Sequence, residues 1–176
     1  MNAWAGLVAE GPAELNLGLV RGDETPVEII RLAYGMEMGL GIFYRTMADR
    51  VQDEEVVNLL KRLASIEEKH KQYLLDLHHS VDTAEIDRAA FEAEASSKMM
   101  EGGFDLDDFL NQNEKYMQAV PGLLDIAMML ETQAMDLYLR FSDKIEDKAS
   151  KAILLKIGDE EKSHLAMLGR LREERT

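Results

Sequence analysis

The chain has 176 residues, 46% of them hydrophobic, with three Pro, no Cys and a formal charge of −14. That size suits one domain with a sizeable core, and the composition favours a helical globular protein over a disordered one. The acidic balance argues against nucleic acid as a partner, and the lack of Cys excludes a disulfide framework, a thiolate metal site and a rubredoxin-type iron centre.

Residues 1–24 hold Gly6, Gly11, Pro12, Gly18 and Gly22, which disfavour a long regular helix. They read as an irregular N-terminal arm. Glu10, Glu14 and the absence of Lys or Arg before Arg21 speak against a signal peptide. No stretch offers about 18 consecutive apolar residues, so no membrane partner is expected. A soluble, cytoplasmic protein is expected, and a Cys-free chain is compatible with a reducing compartment.

Residues 25–78 read as a helical hairpin. Thr25, Pro26 and Glu28 form a T-x-x-E capping box with Pro at the first helical position. Ile29, Ile30, Ala33, Met36, Glu37, Leu40, Phe43, Tyr44 and Met47 follow at helical spacing. Glu37 thus falls within an apolar stripe, where a carboxylate is costly unless something pairs with it. Gly35, Gly39 and Gly41 flank it. They imply close helix packing or, alternatively, room for a small oxidant. Asp53 caps the second helix, whose inner stripe runs Val56, Leu59, Leu60, Leu63, Ile66, Glu67, His70, Tyr73, Leu74 and Leu77.

Residues 79–118 read as a long crossover. His79, Ser80 and Asp82 predict a break, Ala89–Met100 a helix, Gly102-Gly103 another break, and Asp105–Phe109 a short helix. Residues 119–173 form the second hairpin. Pro121 opens a helix with Leu123, Leu124, Ala127, Leu130, Glu131, Ala134, Leu137, Tyr138 and Phe141 on one face. Asp147 precedes another, with Ile153, Leu154, Ile157, Glu161, His164, Leu168 and Leu171.

The two hairpins align without a gap at an offset of 94. Ala33 matches Ala127, Tyr44 Tyr138, Asp53 Asp147, Leu60 Leu154 and Leu74 Leu168. The same offset carries Glu37, Glu67 and His70 onto Glu131, Glu161 and His164. In each copy the Glu of E-x-x-H lies 30 residues after an inward-facing Glu, and the Glu–His spacing puts both side chains on one helix face. Four carboxylates and two imidazoles are the ligand set of a two-iron or two-manganese site inside a four-helix bundle. Such donors suit iron and manganese. The competing explanation is a set of buried polar residues, left by duplication, that pair with one another.

On this reading Glu37, Glu67 and His70 serve one metal and Glu131, Glu161 and His164 the other. The two E-x-x-H glutamates are the simplest bridging ligands. Tyr44 and Tyr138 lie seven residues beyond Glu37 and Glu131 on the same faces. They are the candidate catalytic side chains, as hydrogen-bond donors to ligand carboxylates, or else ordinary core tyrosines. Met36, Met38, Met128, Met129 and Met135 near these turns read as flexible core filling.

Glu37 with Phe43-Tyr44, Glu67-x-x-His70, Glu131 with Tyr138, and Glu161-x-x-His164 together resemble the ferritin-like di-iron carboxylate superfamily, most closely the rubrerythrins. The resemblance covers about residues 25–78 and 119–173. It implies an all-α, ferritin-like four-helix bundle with a di-iron centre that reacts with hydrogen peroxide or dioxygen, and paired subunits in a homodimer. Two departures stand out. A chain without Cys has no rubredoxin domain, so an external electron donor is needed. The extra carboxylate that rubrerythrins carry one turn from the Glu at the position of Glu131 is missing, because Met128 and Ala134 stand there. The expected function is a di-iron oxidoreductase. The alternatives are a non-catalytic metal-binding or iron-handling protein, holding zinc or manganese, and a di-iron hydroxylase.

Overall fold

A computed structural model describes residues 24–82, 87–101 and 106–175. The described residues are all-α: α1 Pro26–Arg50, α2 Glu54–Val81, α3 Arg88–Glu101, α4 Leu106–Met117, α5 Val120–Lys144 and α6 Lys148–Glu173. The reading of residues 1–23 as an arm and of Gly102-Gly103 as a break falls outside them.

The helix starts follow local chemistry. Thr25 accepts from the Glu28 N–H while the Glu28 carboxylate accepts from the Thr25 N–H at 2.8 Å, closing the expected box. Asp53 accepts from the Glu55 and Val56 N–H groups, and Asp147 from that of Ser150. Asp53 also receives Arg175 from the far end of the chain, at 3.1 and 3.2 Å. The start of α2 is thereby tied to the end of α6.

Two boundaries differ from the sequence reading. α2 passes His79 and Ser80 and ends at Val81, with the Asp82 N–H donating to His78 O. His78 is buried and meets the Phe91 ring of α3 edge to face, so the last turn of α2 packs against α3. α4 continues beyond Phe109 to Met117. Phe109, Leu110 and Asn113 repeat at helical spacing and are buried, and the Asn113 amide donates to Phe109 O within the helix.

α1 lies along α2 and α5 along α6, each pair joined by a three-residue connection, 51–53 and 145–147. Such short links force antiparallel neighbours. The pairs meet through α1 against α5 and α2 against α6, while α3 covers α1 and α4 covers α5. Leu60, Leu63, Leu74, Leu77, Leu124, Leu154, Ile157 and Leu168 fill the interior with no measurable exposure. Each contributes about 1.5–3 kcal/mol by leaving water, so the helices act as stiff rods for whatever projects between them.

At the α4–α5 junction, a Cβ on Gly122 would stand 2.0 Å from the Tyr116 carbonyl oxygen. Gly122→Ala is therefore expected to push the start of α5 away from α4 and cost about 1–3 kcal/mol, as overpacking does. Urea denaturation checks this, and an unchanged midpoint would refute the close approach.

Candidate metal centre

Glu37 projects from the middle of α1, Glu67 and His70 from α2, Glu131 from α5, and Glu161 and His164 from α6. All six side chains are buried to within 2%. Each sits on the stripe that its helix turns inward, so the periodicity that builds the core also delivers these polar groups to its centre.

They converge as two overlapping groups, Glu37–Glu67–His70–Glu161 and Glu67–Glu131–Glu161–His164, with the ligand atoms of each group within 4.8 Å of one another. Nδ1 of His70 lies 3.2 Å from Glu37, 3.1 Å from Glu67 and 3.1 Å from Glu161. Nδ1 of His164 lies 3.3 Å from Glu131, 2.8 Å from Glu161 and 3.8 Å from Glu67. Glu67 and Glu161 each turn one oxygen to His70 and the other to His164, so these two carboxylates are common to both groups. The imidazole rings stack with centroids 5.7 Å apart.

One Nδ1–H donates to one acceptor, and those of His70 and His164 are aimed at Glu37 and Glu131. That leaves all four oxygens of Glu67 and Glu161 buried with no hydrogen-bond donor. Orphaned carboxylate oxygens in a dry core are costly unless a cation meets them. Donor atoms about 2.1 Å from an octahedral ion stand about 3.0 Å from their neighbours, and the Nδ1 contacts cluster around that edge length. The Glu/His groups can hold a metal ion.

In the metal-free protein, protons stand in for the missing positive charge. Burial alone would depress both histidines. The carboxylates of Glu161, Glu37 and Glu67 beside Nδ1 override it and hold His70 far above its usual value of 6.5. Those of Glu131 and Glu161 lift His164 to about 9. Burial drives Glu131 up to about 8, and burial with the charge of Glu37 drives Glu67 well above 4.5. Glu161 goes the other way: despite burial, the imidazoles of His164 and His70 beside it bring it down to about 2. A cation entering this cluster displaces protons, so binding weakens as the pH falls.

Tyr44 and Tyr138 are fully buried, and each serves the glutamate of the opposite pair. The Tyr44 hydroxyl donates to Glu131 and that of Tyr138 to Glu37. Burial first, then the negative charge of the accepting glutamate, keeps both phenols protonated far above pH 10. Both therefore remain donors at any working pH. Tyr138→Phe is expected to leave a Glu37 oxygen unsatisfied, costing about 1–3 kcal/mol of stability and about 10–100-fold in affinity for the metal nearest Glu37. Calorimetric metal titration of the variant tests this, and wild-type affinity would make Tyr138 merely a core residue.

Compared with known protein families, curated proteins and solved structures, the chain matches none of them.

Glu160 escapes the sequence reading. Standing next to Glu161, it turns about 100° away from the ligand stripe. Yet its carboxylate accepts from His70 Nε2 at 3.1 Å, across the α2–α6 contact. The one sequence clue is a break in the 94-residue offset, where Glu160 corresponds to Ile66. At Gly41 a Cβ would stand 3.4 Å from the Arg45 guanidinium and 3.6 Å from Glu67 Cβ, ordinary van der Waals contact, so the packing of α1 on α2 does not by itself require glycine there. Arg45 lies over this seam and pairs with Glu68 at 3.2 Å.

Proposed function

We propose that the chain is a di-iron oxidoreductase built on a ferritin-like four-helix bundle of two repeated hairpins. It would resemble a rubrerythrin that lacks its own rubredoxin and would reduce peroxide or dioxygen with electrons from an external donor. The observation that carries this reading is the pair of buried carboxylates, Glu67 and Glu161, shared between two Glu/His groups. Sharing of that kind suits two cations held side by side.

Glu37, Glu67, His70 and Glu161 would hold one ion, and Glu67, Glu131, Glu161 and His164 the other. Bound iron would supply the redox chemistry, the two electrons that with two protons convert peroxide to two waters, and an external donor would replace them. The chain itself orients and insulates. Tyr44 and Tyr138 fix the carboxylates of Glu131 and Glu37. The leucine and isoleucine layers keep bulk water away from the site. Four glutamates would offset the charge of two divalent cations.

Stopped-flow mixing of the ferrous protein with hydrogen peroxide tests the assignment. Oxidation faster than that of free ferrous iron is expected, and oxidation no faster would overturn it. A second reading, a metal-holding or iron-handling protein without turnover, is favoured by one observation. Met128 and the fully buried Ala134 flank Glu131 where a further carboxylate would assist peroxide chemistry. Turnover with a reductant separates the two readings. Among the described residues, no helix is long and apolar enough to cross a membrane.

A further inference from the structure

The six ligands follow the 94-residue offset, but the groups behind the two imidazoles do not. His70 has a carboxylate on its outer nitrogen, Glu160 at 3.1 Å. Glu160 is itself anchored, with Lys156 Nζ at 3.7 Å and the same ammonium 3.9 Å from the centroid of the Tyr73 ring. The residue 94 positions before Glu160 is Ile66, which has no acceptor to offer, and Arg62 stands where Lys156 does. Among the described residues, no side chain is placed behind His164 in this way.

The consequence follows from imidazole chemistry. A carboxylate accepting the Nε2–H fixes the proton there, so Nδ1 presents its lone pair to the ligand cluster once a cation displaces the Nδ1 proton. The same contact locks the ring plane and raises the basicity of the ligating nitrogen. His164 has to find its tautomer and orientation without that help. A second, independent difference points the same way. The three carboxylates around His70 Nδ1 lie at 3.1–3.2 Å, whereas those around His164 Nδ1 spread from 2.8 to 3.8 Å, with Glu67 the outlier.

We propose that the two metal positions are unequal: the Glu37–Glu67–His70–Glu161 position fills first and holds its ion more tightly, because Glu160 orients His70. This rests on the metal reading above. It implies that a single ion bridges less readily than it occupies one defined position, and that the centre can be loaded in two steps, with different ions if they are supplied in sequence. Glu160 acts as a positioning residue, through His70, and touches neither ion.

The test uses Co2+ alone, added to the metal-free full-length protein. Calorimetric titration is expected to resolve two binding steps about 10–100-fold apart, the range associated with losing such an outer partner. Crystals soaked with one equivalent are expected to show anomalous density among Glu37, Glu67, His70 and Glu161. Glu160→Gln should weaken the first step and bring the two together. Ile66→Glu places a carboxylate at the corresponding position behind His164 and should strengthen the second step while leaving the first unchanged, so the proposal does not depend on a single loss-of-function variant. Equal density at both positions, first filling beside His164, or an equal effect of Glu160→Gln on both steps would overturn it. No Co2+ binding at all would instead remove the metal reading itself.

Discussion

Metal-free protein is expected to melt about 15–30 °C below the metal-loaded form. Each ion at a thousandfold its Kd adds about 4 kcal/mol to the folded state. In a chain of this size, about 1 kcal/mol moves Tm by about 2–4 °C, so two ions together account for the shift. The loss is large because the ligands do not become ordinary core residues once the ions leave. Four carboxylates remain inside the bundle of helices, and the orphaned oxygens of Glu67 and Glu161 have no donor to replace the cations. Rearrangement toward water is blocked by the layers above and below, including Leu63, Leu74, Ile157 and Leu168. Scanning calorimetry before and after chelation, with removal verified by metal analysis, reads the effect. An unchanged melting curve would mean that these six residues are satisfied by one another and that the cluster is only a buried polar network.

Glu67→Gln is expected to change the stability of the two forms in opposite directions. In a metal-loaded protein it would remove a charged group common to both Glu/His clusters, so affinity is expected to fall by at least the about 10–100-fold that losing even an outer partner costs. In the metal-free protein it removes a burden. Burial, and next the charge of Glu37, hold the folded pKa of Glu67 well above its ordinary 4.5. A carboxyl that binds its proton more tightly folded than unfolded costs nothing below pH 4.5, and costs progressively more as the pH climbs from there toward the folded value. At pH 7 the cost is bounded at about 3 kcal/mol, from 1.36 kcal/mol per unit above the ordinary value. Glutamine keeps the shape and avoids that cost. Metal-free Glu67→Gln should therefore melt above metal-free wild type at pH 7, with the difference shrinking toward pH 5. Melting both proteins across that range decides the matter. A metal-free variant less stable than wild type at pH 7 would show that the Glu67 charge is compensated in the apo core.

Glu161 would not behave the same way, although it also belongs to both groups. The imidazoles of His164 and His70 stand beside it and favour its ionised form, so in the metal-free protein it faces both rings as a counter-ion. Burial and the charge of Glu37 favour a proton on Glu67, whereas the two imidazoles favour the ionised form of Glu161.

Much of this was legible in the chain itself. Capping chemistry at Thr25, Asp53 and Asp147 marks helix starts because the donors and acceptors involved are three residues or fewer apart. The inward direction of Glu37, Glu67, His70, Glu131, Glu161 and His164 follows from a period of about 3.6 residues, since a side chain on the apolar stripe has to go where the stripe goes. The shorter reading of α4 failed for the same kind of reason in reverse: Asn113 on its buried stripe is polar, and the sequence does not show the bond to Phe109 O that its amide makes inside.

Sequence alone determined which residues face inward and how far apart they sit along each rod, because helical geometry is local. It left open which rod each one faces, since that depends on how surfaces pack across separations of about ninety residues. Only the tertiary structure decided that Tyr44 reaches Glu131 and Tyr138 reaches Glu37, that Glu67 and Glu161 are the shared carboxylates, and that Glu160 stands behind His70 with nothing comparable behind His164 among the described residues. The antiparallel contacts of α1 with α5 and of α2 with α6 bring distant turns to one level, and no period within a single helix encodes that meeting.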